Sequence, residues 1–264
     1  MIFPRHELRG LKGLAKIPSW AKTVATQPAD LVLDFQGLLR SALIAKLCRA
    51  PGGHIVGLSD AREGAGFFYH HKADVTGIDH AVDRYLALVA ALGIPAAPPL
   101  EWPLPEGSGP AGFADTAPFV LLHPFSRGAG KSLSIADVNS FCQALAPFRV
   151  VVAGRSDESV PPSDNVANLL NRTTLAELVW LIRRAAFVVS VDSGPMHIAA
   201  ALTPHLLSIH TWSDPRKVGP YRPEAWIWKD GQLFQPRNRD AAETHQAAAD
   251  IITVARFVRT QIHR

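Results

Sequence analysis

The stretch FVVSVDSGPMHIAAAL, residues 187–202, decides the fold. Its front half, Phe187 to Val191, is an unbroken apolar run rich in valine, the mark of a strand buried on both faces of a parallel sheet. Its back half, from Pro195 onward, is a run of Ala, Ile and Leu that favours a helix. Proline suits the first helical turn because its missing N–H would be unpaired there anyway. A strand that runs through a tight junction into a helix is half of a β/α unit, and ligands of parallel α/β sheets bind at the carboxyl ends of the strands. Asp192 to His197 lies at such an end. Gly194 lets the backbone approach a ligand closely. The open N–H groups and the dipole of the helix together favour an anion such as phosphate. Asp192, itself negative, suits either sugar hydroxyls or a helix cap.

The same alternation extends on both sides. Toward the C-terminus, HLLSIH (205–210) reads as a strand, and the tail from Asp240 as a long amphipathic helix. Toward the N-terminus, FVLLH (119–123), SIADVNSFCQALA (134–146), RVVVAG (149–154) and TTLAELVWLIRRA (173–185) read as strand, helix, strand and helix. Ser134 and Asp137 have capping-box spacing, and either Thr173 or Thr174 starts the later helix. Further upstream, ADLVLDF (29–35), QGLLRSALIAKLCRA (36–50), HIVGL (54–58) and IDHAVDRYLALVAALGI (78–94) repeat strand, helix, strand, helix. The Pro- and Gly-rich stretch 93–118 separates the two runs; within it PLEWPLP reads as an edge strand and the rest as a linker. The expectation is an α/β protein of two Rossmann-type halves.

Composition agrees. The chain has 264 residues, 47% hydrophobic and 19% charged, enough apolar material for large cores and too little charge for disorder. Cys48 and Cys142 match no disulfide or metal spacing, which suits a reducing cytosol. No apolar run reaches the roughly 18 residues of a membrane helix, and the first residues lack a signal-peptide core. The formal charge of +4 is concentrated at the front: Arg5, Arg9, Lys12, Lys16, Lys22, Arg40, Lys46 and Arg49 face only Glu7, Asp30 and Asp34 within residues 1–50. A basic front suits an anionic partner or a solvated helix face. Aromatic residues are not interleaved with the cations as a nucleic-acid stacking platform requires, so no nucleic-acid partner is expected.

Three more strand ends carry polar loops. HPFSRGAGKSLS (123–134) holds Ser126, Arg127, Lys131 and two glycines, a set that suits a diphosphate but lacks Walker spacing. AGRSDES (153–159) offers Asp157 or Glu158 to ribose hydroxyls. IHTWSDPRKVGPY (209–221) carries the turn signal Asp214-Pro215. Together they suggest a pocket for a nucleotide diphosphate.

DLVLDFQGLLRSAL, AREGAGFFYHHK, LLHPFSRGAGKS and VVSVDSGPMHIAAAL followed by IHTWSDPRKVGPY occur in the order seen in the ADP-heptose:lipopolysaccharide heptosyltransferases. The chain resembles that family, its heptosyltransferase I type above all, from about residue 17 to about residue 225. The resemblance implies a GT-B fold. On it, residues 1–105 form an incomplete first Rossmann-like domain on the acceptor side, 106–117 a linker, 118–240 the nucleotide-sugar domain, and 241–264 a helix returning to the first domain. Ser126, Arg127 and Lys131 are implied to hold the donor diphosphate, with Lys131 balancing charge on the departing ADP. Asp192, Ser193, Gly194 and His197 are implied to hold phosphate and heptose, and Glu158 the ribose. Arg40, Arg62 and Lys72 correspond to cations that meet the acidic Kdo sugar. No metal and no cofactor is implied. The implied partners are ADP-heptose and a lipid A–Kdo acceptor, which sets the expected place at the inner face of the inner membrane.

Two features depart from the resemblance. Ser132-Leu133 stands where an aromatic residue often follows the loop lysine. The family also opens with a strand, a Gly-Asp loop and a helix, and its loop aspartate is the implied general base. This chain opens on MIFPRHELRGLKG, similar to the middle of the first domain, so roughly two β/α units and the base are expected to be missing. Asp34 matches a different family position and is not assigned that role. The alternative expectation is therefore an inactive donor-binding remnant, or half of a split enzyme.

Overall fold

The computed structural model describes residues 17–26, 28–96, 100–113, 117–128, 130–236 and 250–262. Arg5, Arg9, Lys12 and Lys16 of the basic front, and residues 240–249 of the expected tail helix, lie outside them. The chain divides into two compact units, Met1–Leu100 and Glu101–Arg264.

In the first unit, α1 (Ile17–Ala25) precedes β1 (Ala29–Asp34), α2 (Leu39–Cys48), β2 (Arg49–Leu58), a 3₁₀ turn (Ala65–Phe68), β3 (His71–Ala73) and α3 (Ala81–Ala90). The described strands form a parallel sheet in the order β1-β2-β3. Side chains of alternate residues feed two cores. Ile55 packs with Ala42, Ala45 and Tyr69 on one face. Val56 and Leu58 pack with Val75 and Leu88 on the other. The expected helix at 36–50 begins only at Leu39, because Asp34 organises the segment before it. One oxygen of its buried carboxylate accepts from the Gln36 and Gly37 amides at 3.0 and 3.1 Å, and the other from Ser41 Oγ at 2.9 Å and Tyr69 OH at 2.7 Å. Gly57 makes room for that tyrosine: a Cβ there would stand 2.2 Å from the ring.

The second unit runs β4 (Phe119–His123), α4 (Ile135–Leu145), β5 (Arg149–Gly154), β6 (Val166–Leu170), α5 (Leu175–Arg184), β7 (Phe187–Val191), α6 (Gly194–Leu202), β8 (Leu206–His210), a short α7 (Pro215–Val218), β9 (Trp226–Lys229), β10 (Gln232–Phe234) and α8 (Ile251–Ile262). Its sheet has the order β10-β9-β8-β7-β4-β5-β6 and is parallel except for the β9–β10 hairpin. Residues 119–122 alternate between its two faces. Val120 and Leu122 join Phe141 and Leu145 of α4 and Val254 and Val258 of α8. Phe119 and Leu121 join Leu181 and Ile182 of α5 and Ala199 of α6. Apolar residues on both faces explain why these strands read as unbroken apolar runs.

Several features of this unit differ from the sequence reading. The edge strand β6 was not foreseen; Asn168 interrupts its short apolar run. The described part of PLEWPLP, residues 100–105, forms no strand. The described part of the segment expected as a linker instead lies along α5: Arg183 donates to Leu104 O at 2.7 Å, the Ser108 amide to Ala176 O at 3.3 Å, and Phe113 meets Phe119 and Trp180 edge-on. The C-terminal helix, expected to return to the first domain, buries Ile251, Val254, Ala255 and Val258 in the second unit's core, and Arg259 donates to Ala144 O at 3.0 Å.

Candidate functional site

Strand order locates the site. From β4 the chain builds outward through β5 and β6, then returns to place β7 on the other side of β4. The loops leaving β4 and β7 therefore diverge, and the crevice between them is where α/β sheets bind ligands. A cavity of about 700 Å³ opens there, at the carboxyl ends of β4, β5 and β7 and the start of α5.

Lys131, from the β4 loop, and Asp192, from the end of β7, meet across this crevice with Nζ 2.6 Å from Oδ2. The loop is braced so that the lysine reaches it. The Ser126 amide donates to Ser132 Oγ at 2.9 Å, the Leu133 amide to Pro124 O at 2.9 Å, and Thr211 Oγ1 to Gly130 O at 2.6 Å. Ser132 fastens the loop where the resemblance had led one to look for an aromatic residue. The Lys131 ammonium also lies 5.5 Å from the centroid of the exposed Trp212 ring, a cation–π contact.

Asp192 is nearly buried. Burial opposes its charge, but hydrogen bonds from Lys131 and Ser213 and the nearby cations outweigh that and hold its carboxyl below the usual range. Behind it, Ser213 Oγ is 2.9 Å from His210 Nδ1, and His210 Nε2 is 3.2 Å from Ser208 Oγ. Burial pushes the His210 imidazole down to about 4, so near neutrality it is a neutral ring in this relay. His197, on the first turn of α6, is also lowered by burial. Of the two roles open to Asp192, capping is not the one seen, since its carboxylate turns to Lys131. Ser193 occupies the N-cap position but makes no side-chain capping bond, and its Oγ lies 3.4 Å from Ser190 Oγ. The start of α6 thus faces the cavity without a capping side chain, as an anion site requires.

Residues 17–246 match the family described as glycosyltransferase family 9 (heptosyltransferase). The chain belongs to glycosyltransferase family 9. Among curated proteins, the lipopolysaccharide core heptosyltransferase OpsX of Haemophilus influenzae is 24% identical over 238 residues, covering 83% of this chain and 67% of that protein. Lipopolysaccharide heptosyltransferase 1 of Salmonella typhimurium is 25% identical over 225 residues, covering 78% and 69%. Among solved structures, E. coli heptosyltransferase WaaC with ADP superposes with a TM-score of 0.68 at 20% identity, covering 97% of this chain and 80% of that one. E. coli ADP-heptose lipopolysaccharide heptosyltransferase II gives 0.66 at 19%, covering 95% and 81%. The expected fold class, α/β with Rossmann-like parallel sheets of the GT-B heptosyltransferases, holds.

Within this family 9 chain, Ser126, Arg127, Lys131, Asp192, Ser193, Gly194 and His197 all line the one cavity. Glu158 does not: it is exposed, its amide donating to Ser156 Oγ at 3.0 Å in the loop after β5. Four polar lining residues were not assigned from sequence. They are His123, at the end of β4; Arg155, just past β5; and Thr173 and Thr174, before α5. Thr174, not Thr173, caps α5, in a reciprocal box with Glu177. His123 is 7% exposed, its Nδ1 has no partner among the described residues, and burial lowers it to about 4. In the first unit, Arg40, Arg62 and Lys72 are exposed. The start of α2, which bears Arg40, adjoins the loop that bears Arg62, with the Arg62 amide donating to Gly37 O at 2.8 Å and the Leu39 amide to Glu63 Oε2 at 3.3 Å. The Asp34 carboxylate accepts four hydrogen bonds, from Gln36, Gly37, Ser41 and Tyr69 of the first unit. No helix among the described residues is long and apolar enough to cross a membrane, and no cluster of metal-ligating side chains is found among them.

Proposed function

We propose that this chain transfers heptose from ADP-heptose to the Kdo-bearing inner core of lipopolysaccharide. The observation that carries the reading is the Lys131–Asp192 pair beside the N-terminus of α6, in a cavity of nucleotide-sugar size at the sheet's switch point. The donor diphosphate sits against the open amides of α6 and the Ser126–Lys131 loop. Lys131 keeps one donor on Asp192 and turns another to the phosphate, where it balances the charge that grows on ADP as the glycosidic bond breaks. Asp192, held ionised, accepts from heptose hydroxyls, and its relay to Ser213 and His210 fixes its orientation. His197 adds a donor to the phosphate, and Glu158 reaches the ribose from its exposed loop. No metal enters the scheme, because the cations already supply the countercharge.

Arg40, Arg62 and Lys72 are the cations of the acceptor side, and guanidinium groups suit the Kdo carboxylate. A lipid-linked acceptor places the reaction at the cytoplasmic face of the inner membrane. The test is to mix the chain with ADP-heptose and Kdo-lipid A and follow ADP. Release that depends on the acceptor is expected. ADP-heptose binding without acceptor-dependent release would overturn transfer and leave a donor-binding module.

A further inference from the structure

Charge around the cavity does not balance. Its lining carries Arg127, Lys131 and Arg155 against one carboxylate, Asp192. Lys131 is already paired with that carboxylate at 2.6 Å. His123 adds little charge at neutral pH, since burial lowers its imidazole to about 4. Two guanidinium groups are left over. Neither Arg127 nor Arg155 makes an ion pair or a side-chain hydrogen bond among the described residues, and both are exposed at the cavity's lip. A sugar-linked nucleoside diphosphate carries one negative charge on each of its two phosphates, so the unpaired cations match it in number and sign.

Register sets Arg155 beside the phosphate loop. Leu122 of β4 is opposite Val152 of β5. Arg155 follows β5 directly, next to the loop that leaves β4 and carries Ser126 and Arg127, and all three residues line the cavity. Gly154, at φ +139°, turns the chain there, and a Cβ on it would meet the His123 ring at 3.2 Å. The backbone before Arg155 is therefore held against a packed, neutral histidine, and the guanidinium leaves from a fixed point on the lip.

We propose that Arg155 is a diphosphate-binding residue of this site, working as the second arm of a guanidinium clamp with Arg127, while Lys131 stays committed to Asp192 until the donor arrives. The assignment rests on the donor reading above and adds a residue to it. In the empty site Lys131 contributes no net charge, so the two arginines draw in the diphosphate, and the lysine acts once its phosphate is in place. Arg155 also gives the site a preference for two phosphates over one.

Calorimetric titration of the full chain and its Arg155→Ala and Arg155→Lys variants with ADP, AMP and adenosine tests this. Loss of a charge-assisted hydrogen bond predicts that Arg155→Ala lowers ADP affinity about ten- to hundredfold, lowers AMP affinity less, and leaves adenosine unchanged. Arg155→Lys recovers part of the ADP affinity, because it restores the charge without the planar fork. Unchanged ADP affinity in Arg155→Ala, or an equal loss for adenosine, would overturn this assignment and leave the donor reading intact. Failure of the unaltered chain to bind ADP would overturn the donor reading and this assignment with it.

Discussion

Lys131 stands between a carboxylate and an indole, and each contact makes a separate demand. Removing its side chain takes a cation from the diphosphate position and leaves Asp192, nearly buried, without its closest partner. We expect Lys131→Ala to weaken ADP binding by about 1.5–3 kcal/mol, the range for a hydrogen bond to a charged group. Calorimetry on the full chain reads this directly, and unchanged affinity would remove Lys131 from the diphosphate site. His123 makes a different prediction, in pH. Its imidazole titrates near 4 when folded and near 6.5 when unfolded, so between these values the unfolded chain binds a proton that the native chain refuses. Stability therefore falls as pH drops from about 6.5 to about 4, on the order of 3 kcal/mol for this one group. Asp192 acts lower: its folded carboxyl is below the ordinary value, so its contribution is present above about 4 and is lost as pH falls further. Urea unfolding from pH 7 to 4.5 should show a shallower loss for His123→Asn than for the unaltered chain. Equal slopes would mean the ring is not held neutral. At this scale the sequence singled out Ser126, Lys131, Asp192 and His197, because each lies at or beside a junction of unusual composition between an apolar strand and a helix. Arg155 and His123 were hidden. Each is unremarkable among its chain neighbours and gains its place only because β4 lies next to both β5 and β7.

Helices and strands differ in how much of themselves they write locally. Ser134 and Asp137 form the reciprocal cap at the start of α4 that their spacing foretold, with Ser134 Oγ accepting from the Asp137 amide at 3.1 Å. Since α4 carries Phe141 and Leu145 into the core, losing the cap reaches beyond the helix end. Ser134→Ala should lower stability by about 1 kcal/mol, read as a lower melting temperature, with ADP affinity retained because Ser134 does not line the cavity. No change in melting would mean that Asp137 and water cap the end unaided. The buried strands β4, β5, β7 and β8 were legible as apolar runs. The short edge strands were not, since an edge needs one apolar face at most and pairs with whatever lies beside it. The β9–β10 hairpin is the instructive miss: Asp230 and Gly231, both at positive φ, carry a turn signal, but the strands they join are four and three residues long, too short for a period to show.

On the scale of the whole molecule, two units with separate cores make a claim about folding. The residues lining the cavity run from His123 to His197, all in the second unit, and its sheet is covered on both faces by its own helices. A fragment of residues 101–264 should therefore fold and bind ADP within a few-fold of the full chain. The choice of starting residue matters. The stretch expected as a linker belongs to this unit: Phe113 covers Phe119 and Trp180, the Arg149 guanidinium lies 4.6 Å from the centre of the Phe113 ring, and Gly107, at φ +79°, lies so close to α5 that a Cβ would stand 2.2 Å from Ala176 O. Cutting at residue 118 exposes the Trp180 and Phe119 rings to water. Loss of a buried aromatic such as Phe113 typically costs about 3–5 kcal/mol, and the half-buried position here argues for the lower end. Parallel denaturant curves of fragments 101–264 and 118–264, each titrated with ADP, decide the matter. The longer fragment should unfold in one cooperative step with the higher midpoint, and the shorter one should retain the cavity at reduced stability. Equal midpoints would return residues 101–117 to the role of a plain connector. Loss of ADP binding by the longer fragment would mean that the first unit is needed to hold the donor site in shape.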